Sequence, residues 1–184
     1  MPPLNPSLQE QNRKTLEFHK WGFAMIAPRG MGLTRIPPLL TGPKARNETT
    51  DILRRFALIG QTLDGQRVWD VRRALAVLRS LPDLKNVPLW LQGDRDMAGI
   101  VLYAALFEPD VPRLDLWHLP NSHRQGPVFL NIRRFLDIPQ AVALAFPRTI
   151  HIYTKEEGGT SWKWPLQLQE ALGAEYLKVR QVGE

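Results

Sequence analysis

Apolar positions are densest over residues 87–107, V-P-L-W-L-Q-G-D-R-D-M-A-G-I-V-L-Y-A-A-L-F. A short apolar run over 87–91 leads to Gly93. Three charges in a row follow (Asp94, Arg95, Asp96), and then an apolar stretch reaches Phe107. A buried parallel strand reads as a continuous apolar run of about four to eight residues, and the helix after it packs back on the sheet. The stretch therefore predicts a strand over 87–91, a sharp turn and a helix over 97–108. In open α/β sheets the turn at the carboxyl end of a strand is where ligands bind.

The remaining pattern supplies more units of the same kind. Residues 1–6 are proline-rich and predict a loose tail. Ser7 and Glu10 have capping-box spacing, ahead of a polar helix to about His19. Residues 21–27, W-G-F-A-M-I-A, predict a buried strand that stops at P-R-G-M-G, where two glycines can take positive φ. Pro37, Pro38, Gly42 and Pro43 mark a loop over 33–47. Thr49, Thr50 or Asp51 caps a helix from about Ile52, with a break near Asp64-Gly65. The helix resumes over 66–81 with Val68, Val71, Leu75 and Leu78 at helical spacing, and Pro82 ends it. Strands follow over 113–119, 149–153 and 176–182. Short helices lie over 138–145 and 165–172, and 127–136 is helical or turn-rich. Five strands separated by helices predict one α/β domain over 1–184: a three-layer, mainly parallel sheet of about five strands with right-handed crossovers.

Length and composition narrow this little. A chain of 184 residues can bury one real core. The absence of cysteine excludes a disulfide framework and thiol chemistry. No run reaches the roughly 18 apolar residues a membrane span needs, and the first residues show no signal-peptide pattern. The expectation is a soluble, cytoplasmic protein with no membrane partner, or a secreted or periplasmic one if the chain is a fragment of a longer protein. The net charge of +6 comes from scattered pairs (Arg54-Arg55, Arg72-Arg73, Arg133-Arg134), with no stripe or recognition motif, so nucleic acid is not an expected partner.

Four segments carry a resemblance. The run 21–32, the helix V-W-D-V-R-R-A-L-A-V-L, the 87–107 unit and D-I-P-Q-A-V-A-L-A-F-P-R-T-I-H-I-Y from Asp137 resemble the back two-thirds of an α/β-hydrolase. They are most similar to the acetyl xylan esterase and dienelactone hydrolase branch. The resemblance implies a truncated α/β-hydrolase-like fold, with the first three family strands absent. It also implies that the 93–99 turn stands where the family carries G-x-S-x-G, the serine exposed on a tight bend. Gly93 then takes the first glycine position and Met97 the second, and Arg95 replaces the serine.

The departures govern the functional expectation. Arginine stays protonated and can be neither nucleophile nor base. The family's acid follows its seventh strand, where Glu156 or Glu157 could stand in. Its histidine follows the eighth strand, and here no histidine follows His151. Asp96 could serve as a nucleophile if the helix register slipped by one. Otherwise Asp94 and Asp96 accept helix N-terminal N–H groups, with Arg95 paired between neighbours. Ser122-His123 leave a strand at the sheet's carboxyl edge but are poorly placed to converge as adjacent residues. His118 and His151 read as core residues. The dispersed histidines give no metal site, and R-G-M-G is no phosphate loop, so no cofactor is expected. Trp162 and Trp164 could line a carbohydrate surface, or pack half-buried against the last helix.

The resulting expectation is a degenerate hydrolase-like domain that binds or scaffolds, taking an ester or a carbohydrate as its small molecule. The alternative is an active carboxylic-ester, acetyl-ester or lactone hydrolase whose site is drawn from Asp94, Asp96, Ser122, His123 and Glu156. Absence of the strand between 21–27 and 87–91 leaves either direct pairing of those two segments or an open edge. The open edge would be covered by a homodimer or a missing partner domain.

Overall fold

The structure is a computed structural model that describes residues 22–34 and 43–183. Contacts divide the chain after Leu39 into two compact units. In the first unit, residues 22–28 enter no sheet ladder, and Phe23 and Met25 are exposed. The buried strand expected over 21–27 is thus not formed among the described residues, because an apolar run becomes a strand only where a neighbour supplies its hydrogen bonds. The glycine turn is as the sequence requires: Gly30 (φ 72) and Gly32 (φ 53) take positive φ, and the Thr34 hydroxyl donates to the Pro28 carbonyl at 2.7 Å. The tail over 1–6, the Ser7–Glu10 capping box and the helix to His19 lie outside the described residues.

The second unit is a four-stranded parallel sheet with its strands in sequence order: β1 (Leu91–Asp94), β2 (Arg113–Trp117), β3 (Thr149–Thr154) and β4 (Leu177–Gln181). Among the described residues five α-helices accompany it: α1 (Pro43–Leu58), α2 (Leu63–Ser80), α3 (Asp96–Leu106), α4 (Ile138–Leu144) and α5 (Lys163–Ala171). This is a mixed α/β architecture with helices packed on a parallel sheet. No described helix is long and apolar enough to cross a membrane.

Three boundaries differ from the pattern-based expectation. The first sheet strand is 91–94 rather than 87–91, because the ladder to β2 begins at the Leu91–Leu114 pair; Val87 and Trp90, ahead of it, are exposed. The first long helix starts at Pro43 rather than Ile52. Proline suits a first helical turn, where its missing N–H has no intrahelical partner to lose. The helical break falls at Ile59–Thr62, and Asp64-Gly65 belongs to the first turn of α2, where the Gly65 N–H donates to the Thr62 hydroxyl at 3.0 Å.

The core explains the unusual apolarity of α3. Leu114, Leu116, Ile150 and Ile152 point to one face and are wholly buried. They pack with Ala98–Ala105 of α3, with Val71 and Leu75 of α2, with Ile138 and Val142 of α4 and with Trp162. Helix α3 lies between β1–β2 and α2. A helix enclosed on both sides is apolar all round.

The alternate positions of β2–β4 are polar or aromatic. Trp117 stacks on Tyr153 with centroids 4.0 Å apart, and the Arg113 guanidinium lies over the Trp90 ring. Asp115 and His151 are buried beside them. Arg113 donates to Asp115 Oδ1 at 2.9 Å and to His151 Nδ1 at 3.2 Å. Burial first, and then the Arg113 charge, hold the His151 imidazole below its ordinary value of 6.5. A histidine with a depressed pKa is neutral in the fold but takes up a proton more readily when unfolded. Its contribution is therefore complete above pH 6.5 and is lost as pH falls towards the folded value. Urea midpoints at pH 7.5 and 5.5 are expected to show less of this loss in His151→Gln than in the parent.

Candidate functional site

The carboxyl ends of β1, β2 and β3 open onto a groove of about 520 Å³ lined by Arg95, His118, Asn121, Gln125, Lys155 and Glu156. Its floor is the turn between β1 and α3. Arg95 has φ 52 and ψ −122 and directly precedes the first residue of α3. A β-carbon makes this region costly for any residue except glycine, and residues held there cluster at functional sites. Two close approaches impose the turn. A Cβ on Gly93 would sit 2.6 Å from the Met97 carbonyl oxygen and 2.8 Å from Ala98 Cα, so β1 and α3 can approach only over a glycine. The Arg95 N–H donates to the Trp117 carbonyl at 2.9 Å, and the Arg95 carbonyl accepts from Ala98 N–H at 2.9 Å.

The charged turn does not behave as capping logic suggests. No side chain caps α3. Asp94 turns away from the helix and accepts from His118 Nδ1 at 2.7 Å. Asp96 Oδ1 faces Gly126, 3.2 Å from where a Cβ would stand. Arg95 is exposed, and its guanidinium has no hydrogen-bond or ion-pair partner among the described residues.

The two sequence-adjacent candidates go into the wall. The Ser122 hydroxyl donates to Asp137 Oδ2 at 2.7 Å, and the His123 N–H donates to Asp137 Oδ1 at 2.6 Å. Burial raises the Asp137 carboxyl, but these two bonds and one from Ile138 N–H outweigh it and hold the group below its ordinary value. The His123 ring is buried, with Nδ1 2.7 Å from the Pro127 carbonyl and Nε2 2.7 Å from the Tyr103 hydroxyl. A carbonyl only accepts, so Nδ1 carries the proton and Nε2 of the neutral ring accepts from Tyr103. Burial, then the Asp137 charge, push the Tyr103 phenol above its ordinary range. With both ring nitrogens occupied, His123 cannot serve as a base.

Glu156 does reach the groove. Its Oε1 accepts from the Thr160 hydroxyl at 2.5 Å, the Ser161 hydroxyl at 2.9 Å and the Ser161 N–H at 3.1 Å. The Thr160 bond first, with those from Ser161, holds its carboxyl below the ordinary range against the opposing effect of burial. Asn121 donates to the same Ser161 hydroxyl at 2.9 Å, which ties this loop to the groove wall.

His118 overturns the core reading of its position. Strand β2 ends at Trp117, and His118 adopts φ 47 and is 33% exposed at the groove. The sequence signal for it is the Leu119-Pro120 step that closes the strand directly after it. The two tryptophans part company: Trp162 is 1% exposed and belongs to the core, whereas Trp164 is 48% exposed. Among the described residues, no three histidine, aspartate or glutamate side chains converge in a way that could hold a metal ion.

No protein-family model matches the chain, and no curated protein matches it. Among solved structures it is similar to a provisionally assigned acetyl xylan esterase from Bacteroides fragilis, with a TM-score of 0.66 at 10% identity. The match covers 91% of this chain and 48% of that one, so the chain spans about half the length of its structural relative. At this identity the likeness concerns the fold, which is α/β-hydrolase-like.

Proposed function

We propose that this chain is a degenerate hydrolase-like domain whose groove binds a small ester- or carbohydrate-type molecule and forms no acyl-enzyme with it. The observation that carries the reading is Arg95 on the strained turn between β1 and α3, its side chain lining the groove with no partner for the guanidinium among the described residues. Covalent acyl transfer needs a nucleophile at such a bend, and a permanent cation cannot supply one. What a cation can do there is hold a carbonyl or carboxylate oxygen. Asn121, Gln125 and Lys155 add donors suited to hydroxyl and acyl oxygens. The acetyl xylan esterase assignment of the structural relative points to an acetylated sugar as the first probe.

Titration of the full chain with acetylated xylotriose, followed by NMR or calorimetry, is expected to show binding that Arg95→Ala weakens roughly tenfold, the scale of one lost charge-assisted hydrogen bond. Intact-mass spectra after incubation with p-nitrophenyl acetate are expected to show no added acetyl group. Absence of binding, or an acetyl adduct on a groove side chain, would overturn the reading.

A further inference from the structure

Binding leaves one arrangement in the groove unused. Among the described residues, three non-glycine residues take positive φ, and two of them, Arg95 and His118, stand just past the ends of the paired strands β1 and β2. Strained backbone persists only where its surroundings impose it. Here the Arg95 N–H is held by the Trp117 carbonyl at 2.9 Å, and the His118 N–H by the Tyr153 carbonyl at 2.7 Å. The two turns bring Asp94 Oδ1 within 2.7 Å of His118 Nδ1 across 24 residues of sequence. A carboxylate only accepts, so Nδ1 donates and the neutral ring keeps its lone pair on Nε2. That nitrogen has no protein partner among the described residues, and the ring lines the groove beside Arg95.

We propose that Asp94, His118 and Arg95 form a site for direct, base-assisted hydrolysis of an activated ester, with water as the nucleophile. Asp94 orients the imidazole. His118 Nε2 takes a proton from water as the water oxygen bonds to the ester carbonyl carbon. The carbonyl π pair moves onto its oxygen, where the Arg95 guanidinium offsets the charge. On collapse the bond to the alcohol oxygen breaks, and the departing alkoxide takes the proton from the imidazolium. One acid and one alcohol leave, and the protein is unchanged. No nucleophilic side chain is required, so the unusual residue at the bend becomes an electrophilic aid. The inference rests on the reading that the groove holds an ester.

The test is steady-state turnover of p-nitrophenyl acetate by the full chain, corrected for buffer. Turnover above buffer, linear from the first seconds, is expected. His118→Gly is the informative variant, since glycine accepts φ 47 without strain and leaves room for a small base. It is expected to lose at least about 100-fold, the usual weight of a positioned general base. Added imidazole is expected to restore part of the rate, which a merely structural histidine would not allow. His118→Asn, which also tolerates positive φ, should match the glycine variant without rescue. Asp94→Asn should lower the rate about tenfold by freeing the tautomer. Parent turnover equal to buffer, or a His118→Gly rate equal to the parent, overturns the inference. Binding of acetylated xylotriose with no turnover of p-nitrophenyl acetate overturns the inference alone. Turnover that depends on His118 without binding of the sugar overturns only the proposed sugar ligand. A trapped acetyl adduct overturns both.

Discussion

Gly93→Ala is expected to lower the stability of the domain by about 3 kcal/mol, the upper range for forcing an extra carbon into a packed site. The added carbon would stand 2.6 Å from the Met97 carbonyl oxygen, 2.7 Å from its carbon and 2.8 Å from Ala98 Cα. All three are backbone atoms, so no rotamer change relieves the clash. Either β1 must leave its ladder with β2 or the first turn of α3 must move. Moving α3 disturbs a wholly buried segment, since Ala98, Ile100, Leu102, Ala104 and Ala105 are all 0% exposed. The corresponding fall in melting temperature is roughly 6–12 °C for a chain of this size, readable by circular dichroism. Gly60→Ala is the matched control, because nothing lies within 4 Å of its added carbon; its φ of +71 limits the cost to local strain. Equal losses in the two variants would show that the strand–helix approach is not what Gly93 secures.

Asp137→Ala is expected to cost about as much, roughly 3 kcal/mol, by a different route. Asp137 caps α4 with a reciprocal capping box, in which Gln140 returns a bond to the Asp137 N–H. Losing a cap costs about 1 kcal/mol. The same carboxylate also takes the Ser122 hydroxyl and the His123 N–H, and each part-buried donor left without an acceptor adds about 1 kcal/mol. Asp137→Asn keeps one acceptor oxygen for the cap, and the Ser122 hydroxyl can rotate, so about 1 kcal/mol is expected there. Urea unfolding of the three proteins measures the series. The carboxyl is held below its ordinary value in the fold. Its contribution is therefore present at neutral pH and is lost as pH falls from the unfolded carboxylate value through the folded one. The difference between the parent and Asp137→Ala should shrink over that acid window.

These two positions also show how far local pattern reaches. The G-D-R-D step between an apolar run and an all-apolar helix marks a sharp strand-to-helix turn, and Gly93 and Arg95 occupy it as the pattern implies. The short helix over 138–145 is legible from the pattern, but the cap that Asp137 supplies to it is seen only in the structure. The alternation R-L-D-L-W and T-I-H-I-Y is equally visible and shows that β2 and β3 present one apolar and one polar or aromatic face. Residues 87–91 misled because an apolar run becomes a strand only where a neighbour pairs with it, and the ladder begins only at Leu91.

The histidines mark where such reasoning stops. His123 looks available beside Ser122, yet Tyr103 and the Pro127 carbonyl occupy both ring nitrogens. His118 looks like a strand residue, yet β2 ends one position earlier and a positive φ turns the ring to the groove. Its partner Asp94 is set by the register that places Asp94 opposite Trp117. That register follows from Leu114 and Leu116 packing under α3, contacts distant in sequence.

What the amino-acid sequence determined by itself is the α/β order of units, the glycine-dependent turn before α3 and the cation placed on it, because each depends on the chemistry of residues adjacent in the chain. Which histidine meets which carboxylate, and which of the candidate side chains face the groove, was decided only in three dimensions. Strand register and a single backbone torsion set those pairings, and both are fixed by packing between segments far apart in sequence.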